Sequence, residues 1–149
     1  MKIYTSYFAQ MRNFPKNLIS LSTVRNNPRW LPLGRDKQGH IWLDIPPLKP
    51  GYNCNGLCSG NCNPKHPQDC AFLQEYRKQL SKIDIHDILD ELQILKNDIE
   101  TAENLNNVEF VLLFFETPDN PCSERQAVIE WLKENSIETE EWSKNDKNY

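Results

Sequence analysis

The stretch VEFVLLFF, residues 108–115, is the most hydrophobic segment of the chain and decides its fold class. It has no polar residue after Glu109, which is typical of a strand buried on both faces. Strands of that kind occur in parallel sheets whose two faces are covered. The segment therefore predicts an α/β fold with a mainly parallel sheet flanked by helices.

The segments on either side of this strand complete the pattern. Residues 2–8 and 18–23 form apolar or alternating runs typical of core strands, and residues 137–142 predict a last short strand. Apolar residues at helical spacing predict two consecutive helices, or one bent helix, between 72 and 99, with Asp84 as the N-cap of the second. A further helix is expected over 123–135, beginning at Ser123. We expect residues 1–149 to form one domain, with a frayed tail at 143–149.

Composition divides the chain into two unlike halves. Residues 1–68 carry 9 Lys and Arg against 2 acidic residues, a net charge of +7, whereas residues 69–149 carry 8 against 19, a net charge of −11. All five glycines, seven of the ten prolines and four of the five cysteines lie between Arg25 and Cys70. A structureless loop of this length is uncommon in a compact domain unless something orders it. We expect residues 25–70 to be a loop inserted after the second strand and ordered by its cysteines.

The four cysteines of this loop have the spacing Cys54-x3-Cys58-x3-Cys62-x7-Cys70. Four thiolates saturate a tetrahedral zinc ion, so the spacing predicts a structural zinc site that closes the loop and contributes to folding. An iron–sulfur cluster and free or oxidised thiols are the alternatives. His66 is expected to be a solvated loop residue, because four cysteines already complete such a site.

Several classes of protein are excluded by the sequence. Its longest apolar run falls far short of the roughly 20 residues that span a bilayer. The first residues alternate apolar and polar side chains, unlike a secretory signal. We therefore expect a cytoplasmic protein without a membrane partner, in which thiols stay reduced. The chain also has no Walker loop, dinucleotide fingerprint, HExxH helix or nucleophile elbow.

Candidate functional residues lie near the ends of the predicted strands, because open α/β sheets bind ligands beyond the carboxyl ends of their strands. Glu116 follows the hydrophobic strand and is a candidate general acid or base. Cys122 lies at the start of the next helix, where backbone amides and Arg125 favour a thiolate. Arg25 and Arg125 are candidates for binding phosphate. Further candidate substrate-binding residues are Trp30 and, on the first strand, Tyr4, Ser6 and Tyr7.

Structural roles are the alternatives for these residues. Glu116 could simply pair with one of the two arginines, and Cys122 could be a small buried residue at a tight turn. The basic half offers an independent indication, because its cations alternate with aromatic rings, as in proteins that bind single-stranded nucleic acid. The residues concerned are Arg25, Arg29, Arg35, Lys37, Lys49 and Lys65, with Trp30, Trp42 and Tyr52.

Two classes of function fit these observations. The first is a nucleotide- or nucleic-acid-directed enzyme, a hydrolase or transferase acting at a base or sugar. The second is a non-enzymatic module that binds nucleic acid or a protein, of phage or host-defence type. A thiol-based redox or transfer role for Cys122 ranks third.

Several segments resemble one known family. They are IYTSY at residues 3–7, LSTVR at 21–25 with Pro28 and Trp30, and VLLFFE at 111–116, which continues through Pro118 into CSER at 122–125 and Trp131-Leu132. Together they resemble the bacterial and phage family called "domain of unknown function 488". The resemblance implies an α/β fold and a site at the Glu-x-Pro loop, without implying a reaction. Where that family has Asp-Val-Arg and Cys-His-Arg, this chain has Thr23 and Ser123 at the Asp and His positions.

Overall fold

The hydrophobic stretch forms the central strand of a five-stranded parallel sheet. The computed structural model describes residues 2–54, 65–120 and 122–144. The strands are β1 (Ile3–Tyr7), β2 (Leu18–Ser22), β3 (Trp42–Asp44), β4 (Glu109–Phe114) and β5 (Thr139–Glu141), in the spatial order β3-β2-β4-β1-β5. All of the strand pairs are parallel, which confirms the prediction made from residues 108–115.

Three helices pack on one face of the sheet: α1 (Ala71–Ser81), α2 (Ile85–Glu103) and α3 (Glu124–Glu134). Of the two alternatives predicted before β4, two consecutive helices and one bent helix, the structure has the first. Asp84 caps α2, as predicted, by accepting a hydrogen bond of 2.9 Å from the backbone N–H of His86. The alternating side chains of the strands supply the other half of this core, notably Ile19, Phe110 and Leu112.

The other face of the sheet is covered by non-α structure from the basic half of the chain. A 3-10 helix, Phe8–Asn13, and residues 24–42 enclose a second core that contains Met11, Phe14, Trp42 and Val111. The helices on the opposite face carry 10 of the 21 acidic residues and 5 of the 17 Lys and Arg. The helical face of the sheet is therefore acidic, with a net charge of 5 − 10 = −5 over its three helices.

The segment that follows Arg25 is more regular than the sequence indicates. It contains β3, a strand that we did not predict, and an isolated bridge between Arg35 and Ile41. The buried His40 ring ties it to the second core: Nδ1 lies 2.7 Å from the Asp36 carboxylate and Nε2 lies 2.7 Å from the Phe14 carbonyl. Hydrogen bonds and apolar packing within the described residues therefore contribute to the order of this segment.

None of the helices in the described ranges is both long and apolar enough to cross a membrane.

Candidate functional site

A cavity of about 330 Å³ opens at the carboxyl ends of β2 and β4, where ligands bind in open α/β sheets. Its lining comes from the segments after β2, β3 and β4 and from the beginnings of α1 and α3. The structure thus brings together three residues that the sequence predicts to be functional, namely Arg25, Glu116 and Cys122. The other lining residues are Val24, Asn26, Pro50, Phe72, Phe115 and Glu124.

Ser123 connects the end of β4 to the beginning of α3. Its Oγ accepts a hydrogen bond of 3.1 Å from the backbone N–H of Arg125, as an N-cap does. The same hydroxyl donates to Oε2 of Glu116 at 3.0 Å. Glu116 forms no ion pair with Arg25 or Arg125 within the described residues. Its carboxylate is therefore positioned by a neutral donor, and the ion-pair alternative raised from the sequence is not what the structure shows.

Glu124 is the second carboxyl of the cavity, and the sequence does not single it out. Only 8% of the residue is exposed. Its pKa is raised to about 8, first by burial and then by the neighbouring charge of Glu116, which together outweigh the opposing effects of Thr23, Lys49 and Arg25. A carboxyl group with this pKa keeps its proton at neutral pH. The cavity therefore holds two carboxyl groups, of which one is a neutral acid.

Arg25 is an exposed cation at the edge of the cavity. Its guanidinium donates to the carbonyl oxygens of Pro50 at 3.4 Å and Gly51 at 3.0 Å. These contacts hold the side chain in place without neutralising it. Phe115, which is 51% exposed, supplies an aromatic surface beside it. An anionic ligand with a planar ring would meet complementary groups here.

Arg125, the other predicted phosphate ligand, faces protein acceptors instead of the cavity. The residue is 1% exposed, and one terminal nitrogen donates to the carbonyls of Ser6 and Glu116, both at 3.0 Å. The other terminal nitrogen pairs with Glu141, and the guanidinium lies 5.1 Å from the centre of the Phe114 ring. Arg125 thereby joins α3 to β1, to β5 and to the loop that carries Glu116. It is a positioning residue for the candidate site.

The three predicted residues of β1 do not line this cavity. Ser6 is fully buried, and its side-chain hydroxyl has no hydrogen-bond partner within the described residues. Tyr4 packs against the second core, with the Lys2 ammonium 4.8 Å from its ring centre. The Tyr7 hydroxyl accepts a hydrogen bond of 2.9 Å from Gln10. Trp30 lines a different cavity, which is described below.

Several residues of the predicted basic surface have partners within the protein. Trp42 is buried, and its indole N–H donates to the Pro32 carbonyl at 2.6 Å, so the expectation that it stacks on a ligand is wrong. Arg35 pairs with Glu103 at 2.5 Å and Lys49 pairs with Asp44 at 2.8 Å. Trp30 and Tyr52 remain exposed, at 61% and 92%.

The cysteines are described only in part. Cys54 is buried, which raises the pKa of its thiol, and Cys70 is partly buried; both are free. Cys122 is disulfide-bonded, so in this state its sulfur is not a nucleophilic thiolate. Cys58 and Cys62 lie outside the described residues. Within residues 2–54, 65–120 and 122–144, no group of three His, Cys, Asp or Glu side chains could hold a metal ion.

The fold and the cavity define an open α/β protein whose candidate site lies at the carboxyl ends of its parallel strands. No family model, no curated protein and no solved structure matches the chain.

Proposed function

We propose that this protein is a nucleotide- or nucleic-acid-directed hydrolase or transferase that acts at the bond between base and sugar. The observation that carries the proposal is the carboxyl pair, in which Glu124 is buried beside Glu116 and has a pKa of about 8. A buried carboxyl group with a raised pKa beside a second carboxyl group is typical of a general acid that works with a partner. Cleavage of a glycosidic bond uses such a pair.

The two carboxyl groups would have different roles in this reaction. Neutral Glu124 would donate its proton to the leaving base while the carbon–nitrogen bond breaks and its electron pair stays on the base. The Glu116 carboxylate, held by Ser123, would stabilise the positive charge that develops on the sugar and would accept a proton from the incoming water or acceptor hydroxyl. Arg25 would bind a phosphate of the substrate, and Phe115 would contact a planar ring.

The test is a survey of substrates with matched carboxyl variants. Purified protein is incubated with nucleosides, nucleotides and short single-stranded DNA and RNA, and release of free base is measured by chromatography. We expect Glu124→Gln and Glu116→Gln to abolish the release. Glu91→Gln, which changes an exposed carboxyl of α2, should leave it unchanged. Full activity in Glu116→Gln, or no base released from any substrate, would overturn the proposal.

A non-enzymatic binding module is the second candidate, favoured by the exposed Trp30 and its neighbouring cations. It predicts binding of nucleic acid that weakens with salt and that Glu116→Gln leaves intact. Binding without any turnover in the survey would support this candidate over the enzyme.

A further inference from the structure

A second cavity, of about 370 Å³, lies on the face of the sheet that the basic half of the chain covers. Phe8 and Met11, both buried in the second core, form part of its lining. The exposed ring of Trp30 lines it together with Arg12 and Lys37. The Trp30 indole is 61% exposed and shares the lining with these two cations.

The charges of this cavity are free to act on a ligand. Arg12 and Lys37 are exposed, and neither forms an ion pair with any described residue. Asp36, the acidic residue of the lining, is already engaged: its carboxylate accepts from the backbone N–H of Gln38 at 3.0 Å and of His40 at 2.7 Å, besides the His40 ring. The cavity therefore presents an aromatic surface and two cations against one carboxylate, an excess of positive charge.

The two cavities are neighbours along one edge of the sheet. Tyr7 and Phe114 are register partners at the ends of β1 and β4, so the residues that follow them also meet. The Phe8 and Phe115 rings are in contact, with their centroids 5.3 Å apart and their planes at 38°. Phe8 lines the second cavity and Phe115 lines the first. This ring pair is thus a shared boundary between the carboxyl pair and the Trp30 cavity.

We propose that the second cavity binds a nucleotide that flanks the target in a single-stranded nucleic acid. Its base stacks on Trp30, its phosphates lie near Arg12 and Lys37, and the target nucleotide lies across the Phe8–Phe115 pair in the first cavity. The inference rests on the proposed function, because it names a single-stranded polymer as the substrate of the same site. Single strands fit because their bases expose a face for stacking, whereas the bases of a duplex stack on each other.

Binding of a labelled oligonucleotide tests this inference. The probe is a ten-nucleotide single-stranded oligothymidylate with a 5′ fluorophore, and anisotropy is measured at several salt concentrations. We expect Trp30→Ala to weaken binding about tenfold or more, as loss of one stacked base does. Arg12→Glu and Lys37→Glu should weaken binding and lower its salt dependence. Lys82→Glu, which reverses an exposed lysine after α1, should change nothing.

The outcomes separate this inference from the proposed function. If Trp30→Ala raises KM for an oligonucleotide but leaves turnover of a mononucleotide unchanged, both are supported. If the oligonucleotide binds through Trp30 and no base is released, the second site stands and the reaction does not. If neither Trp30→Ala nor Lys37→Glu changes binding, or if the duplex binds as tightly as the single strand, the second site is refuted whatever the enzyme does. Lys37 is on the surface, so its substitution avoids a folding defect.

Discussion

The hydroxyl of Ser123 donates to the carboxylate of Glu116 across 3.0 Å while it caps the helix that begins at the next residue. One side chain therefore couples the start of α3 to a proposed catalytic carboxylate. Loss of the cap alone destabilises a helix, and loss of the second bond frees Glu116 to rotate. Stability and activity should consequently fall together when this hydroxyl is removed.

Ser123→Ala is the corresponding substitution. We expect the free energy of unfolding to fall by about 1 kcal/mol, which is typical of a lost N-cap. We also expect a lower kcat for base release, because Glu116 loses its donor. Urea unfolding measures the first quantity. Ser81→Ala is the control, since that hydroxyl donates only to the exposed Lys78 carbonyl and should have little effect. A stability of Ser123→Ala equal to that of the wild type would contradict the capping role.

Removal of the buried guanidinium of Arg125 should lower the free energy of unfolding more than Ser123→Ala does. Arg125→Met should destabilise the protein by about 3–5 kcal/mol, because it removes the charged partner of Glu141, which then keeps the Thr5 hydroxyl as donor, and the donor of two backbone carbonyls. Arg77→Met removes an exposed ion pair with Glu130 and should cost no more than about 1 kcal/mol. Chemical denaturation of the two variants gives the comparison. Similar losses in both would show that Arg125 is not the connection between α3 and the sheet that its contacts indicate.

The raised pKa of Glu124 predicts that its contribution to the stability of the protein falls as the pH rises. Its pKa rises from an ordinary 4.5 to about 8 on folding, so the folded state holds the proton more tightly than the unfolded chain. The contribution of this group is fully present below pH 4.5 and is lost as the pH rises through 8. Glu124→Gln cannot lose a proton, so its stability relative to the wild type should increase across this range.

Thermal unfolding of the wild type and Glu124→Gln between pH 5 and pH 9 measures that difference. Glu91→Gln is the matched control, because Glu91 is exposed on α2 and its substitution should give a difference that stays constant. A constant difference for Glu124→Gln would mean that Glu124 is ionised in the folded protein at neutral pH. The same proton bears on function, since an acid with this pKa loses its activity as the pH rises above 8.

Local patterns were sufficient to predict β4 and the three helices, because each depends on the spacing of apolar residues within its own segment. Strand β3 could not be found in this way. It has only three residues, and it exists because Trp42 and Leu43 pair with β2 and the indole N–H of Trp42 reaches Pro32. These partners lie 10 or more residues away in the chain. Pairing of that kind leaves no periodic signal in a segment so short.

Only part of the candidate site could be predicted, because some of its residues follow predicted strands and others depend on contacts between distant segments. Arg25 and Glu116 could be named from their positions after β2 and β4, since the carboxyl ends of parallel strands share one edge. Glu124 could not, because an acidic residue in the first turn of a helix is ordinary, and the groups that shift its pKa, among them Thr23, Lys49 and Glu116, come from other segments. Arg125 was expected to face a ligand, yet the structure surrounds it with acceptors from β1 and β5.

The cysteines cannot form the Cys122 disulfide and the four-thiolate zinc site at the same time, so we expect two alternative forms of the protein. The chain has five cysteines, and a disulfide through Cys122 uses two of them, which leaves three thiols. A four-thiolate zinc site needs one more.

Protein purified under reducing conditions without added metal should contain one zinc per chain, and Cys54→Ser or Cys70→Ser should lower that content and the melting temperature. Cys122→Ser should retain the zinc even in air, because the competing disulfide cannot form. Elemental analysis with thiol titration measures both quantities. Brown protein that contains iron and sulfide would instead support the iron–sulfur alternative, and metal-free reduced protein with five titratable thiols would exclude both metal sites.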